Sequence, residues 1–259
     1  MSTSRLLVIF SLLLLSAGTA AAQPVDGLPA EITACADEAE PAPYVFTEDA
    51  ARRDVIGAST HLARLILRRA GHDFSITLLP WGRCLQAVAT GRIGLALHAP
   101  LAPEAGSEFL ATQPYASIRS ALFYTELRFA SAPAIAGNPW PDYRYCGIAG
   151  HGGRYPIPPG RLDLSAYNTE LTLGMLRGGH CDLALANLEE VLASGRSGRL
   201  EIDDLRWIPV PGARPRPFGM LIGRAGPGGA ALQRILDDGI GELEGNGMMA
   251  AIMASYGLP

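Results

Sequence analysis

Several residues that can hold a small molecule stand at the ends of short apolar runs. Trp81 follows one run, His98 closes another, and His151 and Gly152 lie in a Gly-His-Gly-Gly segment after a third. Glycines around a histidine let backbone N–H groups converge on a ligand, although a plain tight turn is the simpler explanation. These residue types and positions predict the wall of a binding cleft.

The elements that carry the first two residues form a strand-helix-strand pattern. Residues 75–79 alternate apolar and polar side chains, a helical spacing follows Trp81, and Gly91 supplies a left-handed stop. The apolar run 93–97 then predicts a second buried strand. Such a unit implies a parallel sheet with its ligand side at the carboxyl ends of the strands. We therefore expect Trp81 and His98 at the ends of neighbouring strands.

The second half of the chain repeats this order. The segment GRIGLALHAP, which contains His98, has a partner in GGHCDLALAN, which ends at Asn187. Both run from a helix through a glycine stop to a buried strand and a polar residue. Near the N-terminus, a Pro-rich loop carries Tyr44 after a first short strand, at a position typical of a cleft edge. The repeat predicts two α/β lobes facing one cleft.

Composition excludes several classes of function. The 259 residues are 48% hydrophobic, enough for a substantial core, and the formal net charge is −4. All 21 basic residues are arginines, so a P-loop lysine, a Schiff-base lysine and a lysine general base are excluded. The arginines form no basic stripe, which argues against nucleic acid as a partner.

The N-terminus predicts export. Arg5 precedes the apolar run 6–15, and small residues lead to Ala20-Ala21-Ala22, a pattern that a signal peptidase recognises. We assign residues 1–22 to a signal peptide, with cleavage near Ala22 and a mature chain that starts near Gln23.

Four cysteines remain after cleavage. An even number in an oxidising compartment favours two disulfides, and four cysteines permit three pairings. We favour Cys35 with Cys84 and Cys146 with Cys181, because each pair then joins elements of one lobe. Four buried free thiols are the alternative. No CxxC motif occurs, so neither a redox site nor a compact zinc knot is indicated.

The whole mature chain resembles the periplasmic solute-binding proteins of the polar amino-acid class, the soluble receptors of ABC importers. The resemblance rests on the order of several segments: Pro43-Tyr44, LPWGRCLQAVATGRI, TQPY, CGIAGHGG, GHCDLALAN, IPVP and a terminal Ser-Tyr-Gly. It implies an α/β, two-lobed fold in which each lobe is a mostly parallel sheet flanked by helices, with two hinge crossings. Lobe 1 would comprise residues 23–118 plus 208–259, and lobe 2 residues 119–207.

The ligand residues of the family carry over unevenly. Tyr44 matches the aromatic residue that covers the ligand, Trp81 matches a wall position, and His98 and Ala99 match the polar pocket strand. The arginine that binds an α-carboxylate is replaced by the segment 103–106, Pro-Glu-Ala-Gly, and Asn187 stands where an aspartate takes the α-ammonium. Losing both charged contacts argues against a standard free amino acid as ligand. The predicted ligand-binding residues are Tyr44, Trp81, His98, Ala99, His151, Gly152 and Asn187.

The resemblance implies a periplasmic, monomeric receptor that closes on a neutral polar, aromatic or cationic solute and delivers it to an ABC permease in the inner membrane. We expect no cofactor and no metal. One alternative is a dehydratase-like enzyme of the same fold, with His98, His151 and Glu104 as acid and base. Neither GxSxG nor HExxH occurs to support catalysis. A receptor for a membrane sensor and a metal receptor that uses His98, His151 and His180 are further alternatives.

Overall fold

A computed structural model describes residues 27–39, 42–48, 54–101, 107–135, 141–149, 157, 160–226 and 228–259. The predicted signal peptide and the positions Glu104, His151 and Gly152 lie outside these residues. Within the described part of the chain, no helix has the length and apolar character needed to cross a membrane. The strands are β1 (Glu31–Asp37), β2 (Phe46–Thr47), β3 (Val55–Ile56), β4 (Asp73–Leu79), β5 (Leu95–Pro100), β6 (Phe109–Ala111), β7 (Ala116–Ile118), β8 (Ser120–Thr125), β9 (Tyr145–Ile148), β10 (Leu162–Ala166), β11 (Leu183–Asn187), β12 (Leu205–Pro209) and β13 (Arg216–Gly223). The helices are α1 (Ala58–Arg69), α2 (Trp81–Ala89), α3 (Thr169–Arg177), α4 (Leu188–Arg196), α5 (Gly229–Gly245) and α6 (Met248–Ser255).

These strands form two larger sheets with the same topology. The first sheet has the order β4-β1-β5-β13-β6, with β7 also paired to β13, and the second has the order β10-β9-β11-β8-β12. In the first sheet β1 is parallel to β4 and β5, while β13 is antiparallel to β5, β6 and β7. In the second sheet β9 is parallel to β10 and β11, while β8 is antiparallel to β11 and β12. Each sheet is therefore mostly parallel, with one described strand reversed.

The reversed strands are the ones that enter a sheet directly after the chain crosses from the other. The first crossing joins β7 to β8 at Arg119, and the second joins β12 to β13 between Pro209 and Arg216. The predicted two-lobed architecture with two crossings is thus confirmed. Strand β12 pairs with β8 as far as Pro209, so the second sheet continues two residues into the stretch assigned from the sequence to lobe 1.

One expectation about the first sheet is wrong. Trp81 and His98 do not follow neighbouring strands, because β1 lies between β4 and β5 and pairs with both. Periodicity identifies the strands of a strand-helix-strand unit, but it does not show whether a third strand inserts between them. Trp81 also starts helix α2 and packs near the cluster of Cys35 and Cys84.

The helices cover the sheets with the apolar faces that their spacing predicts. Helix α5 buries Leu232, Leu236, Ile240 and Leu243, the stripe at helical spacing, in the core that α1 and β5 share. Helix α2 packs on the opposite face of the first sheet, where Val88 joins a separate cluster. The second sheet has its own clusters on its two faces.

Each disulfide joins a strand of one sheet to a segment that packs against or leads into that same sheet. Cys35 in β1 bonds to Cys84 in α2, and Cys146 in β9 bonds to Cys181 just before β11. These are the two pairs favoured from the sequence. No free cysteine remains among the described residues. Each bond closes a loop and so restricts the unfolded chain, which stabilises the folded protein.

Candidate functional site

The loop that carries Tyr44 is held against the start of helix α1. The N–H groups of Ala58 and Ser59 donate to the carbonyl oxygens of Pro43 and Tyr44, each at 3.0 Å. Gly57, just before the helix, has φ of 124°, and a Cβ there would collide with the Tyr44 carbonyl. The first N–H groups of a helix lack partners within it. Here they fix the loop and place the Tyr44 ring.

Strand β5 carries His98 near its carboxyl end, between two aromatic rings. The imidazole stacks on Tyr44 with a centroid distance of 4.1 Å and an interplanar angle of 19°, and on Phe218 at 4.6 Å and 30°. The backbone of His98 has φ of 52°, in the left-handed region that few non-glycine residues adopt. An unusual backbone angle at a buried ring stack marks a candidate functional position.

Hydroxyl groups behind this stack favour one tautomer of the His98 imidazole. Tyr115 accepts a hydrogen bond from the His98 backbone N–H at 3.1 Å and donates to Oγ of Ser59 at 2.9 Å. Oγ of Ser59 lies 3.4 Å from Nδ1 of His98. Burial raises the pKa of Tyr115, so its hydroxyl keeps its proton. Because Tyr115 donates to Ser59, the serine proton can point to Nδ1, which favours the Nε2–H tautomer.

On the opposite side of the cleft, His98 faces Glu190 in the first turn of α4. Nε2 of His98 is 3.5 Å from Oε1 of Glu190, and the two side chains are 2% and 4% exposed. This separation is at the long limit of a hydrogen bond, and Nε2 has no hydrogen-bond partner in the described part of the protein. Burial lowers the pKa of His98, with a smaller contribution from Arg216 and against the opposing effect of Glu190. The imidazole is therefore neutral near pH 7.

The first turn of α4 also contacts both crossings. Glu190 accepts from Nδ2 of Asn187 at 2.9 Å, and Arg216 at the start of β13 donates to Oδ1 of Asn187 at 3.1 Å. Glu189 accepts from the backbone N–H of Arg119 at 2.8 Å and from its Nε at 2.7 Å. Carboxylates are favoured at a helix N-terminus by the peptide dipoles. Both carboxylates thus link α4 to the segments that join the two sheets.

A cavity of about 380 Å³ lies beside this cluster. One wall comes from residues 38–39 and 42–47, and the other from the start of α3, from α4 and from the segment after α4. Glu38, Glu170 and Glu190 line it, and Arg199 is its one described guanidinium. A concave wall with more carboxylates than cations attracts positively charged ligands. The cavity is large enough for a small organic solute.

The same cluster contains residue types used in covalent catalysis. Ser59, His98 and Glu190 are a possible nucleophile, base and orienting acid. Ser59 is fully buried and accepts a hydrogen bond from Tyr115, so a substrate cannot reach its oxygen in this conformation. In the part of the chain that the structure covers, no three His, Cys, Asp or Glu side chains are arranged to hold a metal ion.

Solved structures with the same fold cover nearly the whole chain. A histidine kinase sensor domain with similarity to periplasmic binding proteins is 20% identical with a TM-score of 0.69, over 87% of this chain and 95% of its own. EhuB in complex with hydroxyectoine is 20% identical with a TM-score of 0.71, over 89% of each chain. This is the periplasmic-binding-protein fold. The ancestral amino-acid-binding protein AncCDT-1, a precursor of cyclohexadienyl dehydratase, is 13% identical with a TM-score of 0.71, over 88% of this chain and 95% of its own. No family model matches the sequence, and no curated protein matches it.

Within the periplasmic-binding-protein fold, the predicted ligand residues separate into three groups. Tyr44 and His98 are stacked, and Asn187 joins them through Glu190. Ala99 is fully buried in the cluster that surrounds the Cys35–Cys84 disulfide, against which Trp81 also packs. His151 and Gly152 lie outside the described residues.

Several residues of this site were not predicted from the sequence, and three of them show why. Phe218 was assigned only to a strand, although it forms the second face of the His98 stack. Glu190 follows Asn187 closely, and two consecutive acids at the start of a helix are normally read as favourable charges on an exposed first turn. Arg199 follows α4 in a polar segment. Only the approach of the two sheets reveals that these side chains face the cleft.

Proposed function

We propose that the protein is a periplasmic receptor that closes on a small solute and delivers it to an ABC importer. The observation that carries the proposal is the cavity of about 380 Å³ between residues 38–39 and 42–47 on one side and helices α3 and α4 on the other. The moving bodies would be lobe 1, residues 23–118 plus 208–259, and lobe 2, residues 119–207. Two crossing segments between sheets of equal topology are the connection that a hinge closure needs.

The proposed solute carries a positive charge. Glu38, Glu170 and Glu190 line the cavity. The guanidinium of Arg199, which also lines it, pairs with Glu48 at 3.0 Å. Structures of this fold include one bound to L-arginine and an arginine-, lysine- and histidine-binding protein. Hydroxyectoine is the ligand of another. Positively charged groups therefore agree both with this wall and with ligands of similar proteins.

The proposed ligand is not a standard α-amino acid. Asn187, at the position of the family's ammonium-binding aspartate, already accepts from Arg216 and donates to Glu190. The sequence at 103–106 supplies no arginine for an α-carboxylate. A basic compound without that carboxylate fits the residues better, because a carboxylate would face the three acids of the cavity without a clamp.

Binding without turnover is the proposed activity. His98 is enclosed by Tyr44 and Phe218, and Ser59 has no access to the cavity in this conformation. Two disulfides fit the oxidising periplasm, to which the signal peptide would direct a monomeric mature chain. Mass spectrometry of the secreted protein should give a chain that begins near Gln23.

A thermal-shift screen of the mature protein tests this function. Basic solutes without a carboxylate should raise the melting temperature, since saturation at 100 times Kd adds about 2.7 kcal/mol to the free energy of unfolding. Glu170→Gln should reduce the shift, whereas Glu242→Gln, on an exposed pair with Arg69, should not. Chemical analysis of each solute after incubation separates binding from turnover. Stabilisation by anionic solutes alone, or conversion of a solute, would contradict the proposal.

A further inference from the structure

Arg199 occupies an aromatic and acidic position at the edge of the cavity. Its guanidinium carbon lies 3.8 Å from the centroid of the Phe46 ring, well within the range of a cation–π contact. One of its nitrogens is 3.0 Å from Oε1 of Glu48. Phe46 and Arg199 both line the cavity. A guanidinium is thus held by one ring face and one carboxylate.

This contact joins the two sides of the cleft. Phe46 and Glu48 belong to the segment that follows β1, whereas Arg199 follows α4 of the second half. On the same side of α4, Ser194 donates to the carbonyl oxygen of Ala42 at 3.3 Å. A group that displaced Arg199 would therefore also change a contact between the predicted lobes.

The Arg199 contact is weak enough to be exchanged. The side chains of Arg199 and Glu48 are 31% and 69% exposed. Ion pairs between exposed groups contribute little because water and salt screen them. The ring face beneath the guanidinium is buried, with Phe46 only 4% exposed, so an organic cation from the solvent would meet the same apolar surface.

We propose that Phe46 and Glu48 form a guanidinium-binding site that Arg199 fills when no solute is bound, and that a solute with a guanidinium group displaces it. This inference rests on the proposed receptor function and names the charged group of the solute. Arg199 is then an internal competitor that sets affinity and selectivity. The carboxylates of Glu38, Glu170 and Glu190 would receive any second positive charge of the solute.

Calorimetric titration with agmatine tests the site, because agmatine has a guanidinium and an ammonium group but no carboxylate. Removing the competitor with Arg199→Gln should lower the Kd for agmatine about tenfold, the scale of a partly desolvated cation–π contact together with an ion pair. Glu48→Gln in the Arg199→Gln background should raise the Kd again, because the competitor is then absent and only the solute loses its carboxylate partner. Phe46→Leu in the Arg199→Gln background should abolish the gain.

Two controls make the result specific. Arg69→Gln removes a guanidinium that also pairs with a carboxylate, at 3.1 Å, but lies away from the cavity, so the Kd should stay that of the unaltered protein. Butylurea, a neutral analogue, should gain nothing from Arg199→Gln. An unchanged or higher Kd for agmatine in Arg199→Gln, an equal gain for butylurea, or no binding of agmatine to any variant overturns the inference. In each case the solute screen decides the receptor function separately, and that function fails if no solute stabilises the protein, if only anionic solutes do, or if a solute is converted.

Discussion

The inner and outer halves of the cleft use similar residue types in opposite ways. In the inner half an imidazole lies between two rings and faces a carboxylate, and His98 and Glu190 are 2% and 4% exposed. In the outer half a guanidinium lies on one ring beside a carboxylate, and Arg199 and Glu48 are 31% and 69% exposed. Both halves pair an aromatic face with a nitrogen base and an acid, but only the outer half is open to solvent.

This difference in exposure separates stability from affinity. A buried polar group without its partner costs the full free energy of desolvation, whereas an exposed group regains water. The inner half is therefore expected to set the distance between the two sheets and to tolerate change poorly. The outer half is expected to tolerate change in the fold and to respond in solute binding.

The strongest test of this division is removal of an inner ring. Phe218→Ala should lower the free energy of unfolding by about 3–5 kcal/mol, because Phe218 is buried and stacks on His98, and truncation leaves a cavity there. Urea unfolding monitored by circular dichroism measures the change. Leu127→Ala removes an apolar side chain that is 98% exposed and should shift stability by less than about 0.5 kcal/mol. Equal effects would show that the inner stack does not contribute to stability.

A matched pair of acidic residues tests the same comparison with a smaller expected change in the free energy of unfolding. Glu189 and Glu170 each occupy the second position of a helix, so the helix dipole acts alike on both. Glu189 is buried and accepts two hydrogen bonds from Arg119, whereas Glu170 is exposed at the cavity. Glu189→Gln should destabilise the protein by about 1.5–3 kcal/mol.

The same substitution at Glu170 should change unfolding by less than about 0.5 kcal/mol and act instead on the affinity for basic solutes. Chemical unfolding of both variants, alongside solute titration, gives the two readouts. The comparison would be wrong if Glu170→Gln were the more destabilising of the two.

Local sequence patterns predict most of the scaffold because they report on which side of an element is buried. The run that ends at His98 became β5, the run that ends at Asn187 became β11, and the apolar stripe of α5 faces the core. Strand β10 was not predicted, since only Ala166 of its five residues is fully buried and the strand lies beyond a stretch of prolines and glycines. The insertion of β1 between β4 and β5 was missed for a related reason, because sheet order depends on pairing between distant segments.

The candidate site was harder to predict because its parts come from both halves of the chain. Tyr44 could be identified from the Pro-rich loop that carries it, and His98 from the apolar run that precedes it. The acidic partner Glu190 could not, since its burial arises only when α4 meets the end of β5. Arg199 has no local signal at all: a polar arginine after a helix is normally solvated, and its contact with Phe46 depends on how the halves meet.

The smallest expected effect is a pH dependence that belongs to the inner half. Burial lowers the pKa of His98 in the folded protein, while an unfolded histidine titrates near 6.5. Below about pH 6.5 the unfolded chain binds a proton that the folded chain does not, so stability should fall by up to about 1.4 kcal/mol per pH unit. Above pH 6.5 both states leave His98 neutral and its contribution is constant.

The titratable and charged groups around His98 constrain how this pH dependence is read. Glu190 faces Nε2 from α4, Arg216 lies nearby on β13, and the phenols of Tyr44 and Tyr115 have raised pKa values because they are buried. Neither phenol titrates between pH 5.5 and 7.5.

Urea unfolding at pH 7.5, 6.5 and 5.5 therefore isolates His98. His98→Asn should flatten the loss of stability between pH 6.5 and 5.5, and His61→Asn, at an exposed position of α1, should retain it. A drop of the same size in His98→Asn would assign the pH dependence to other groups. Stability that instead rose as the pH fell would mean that the imidazolium–Glu190 attraction outweighs desolvation, and the inner half would then gain a buried ion pair in acid.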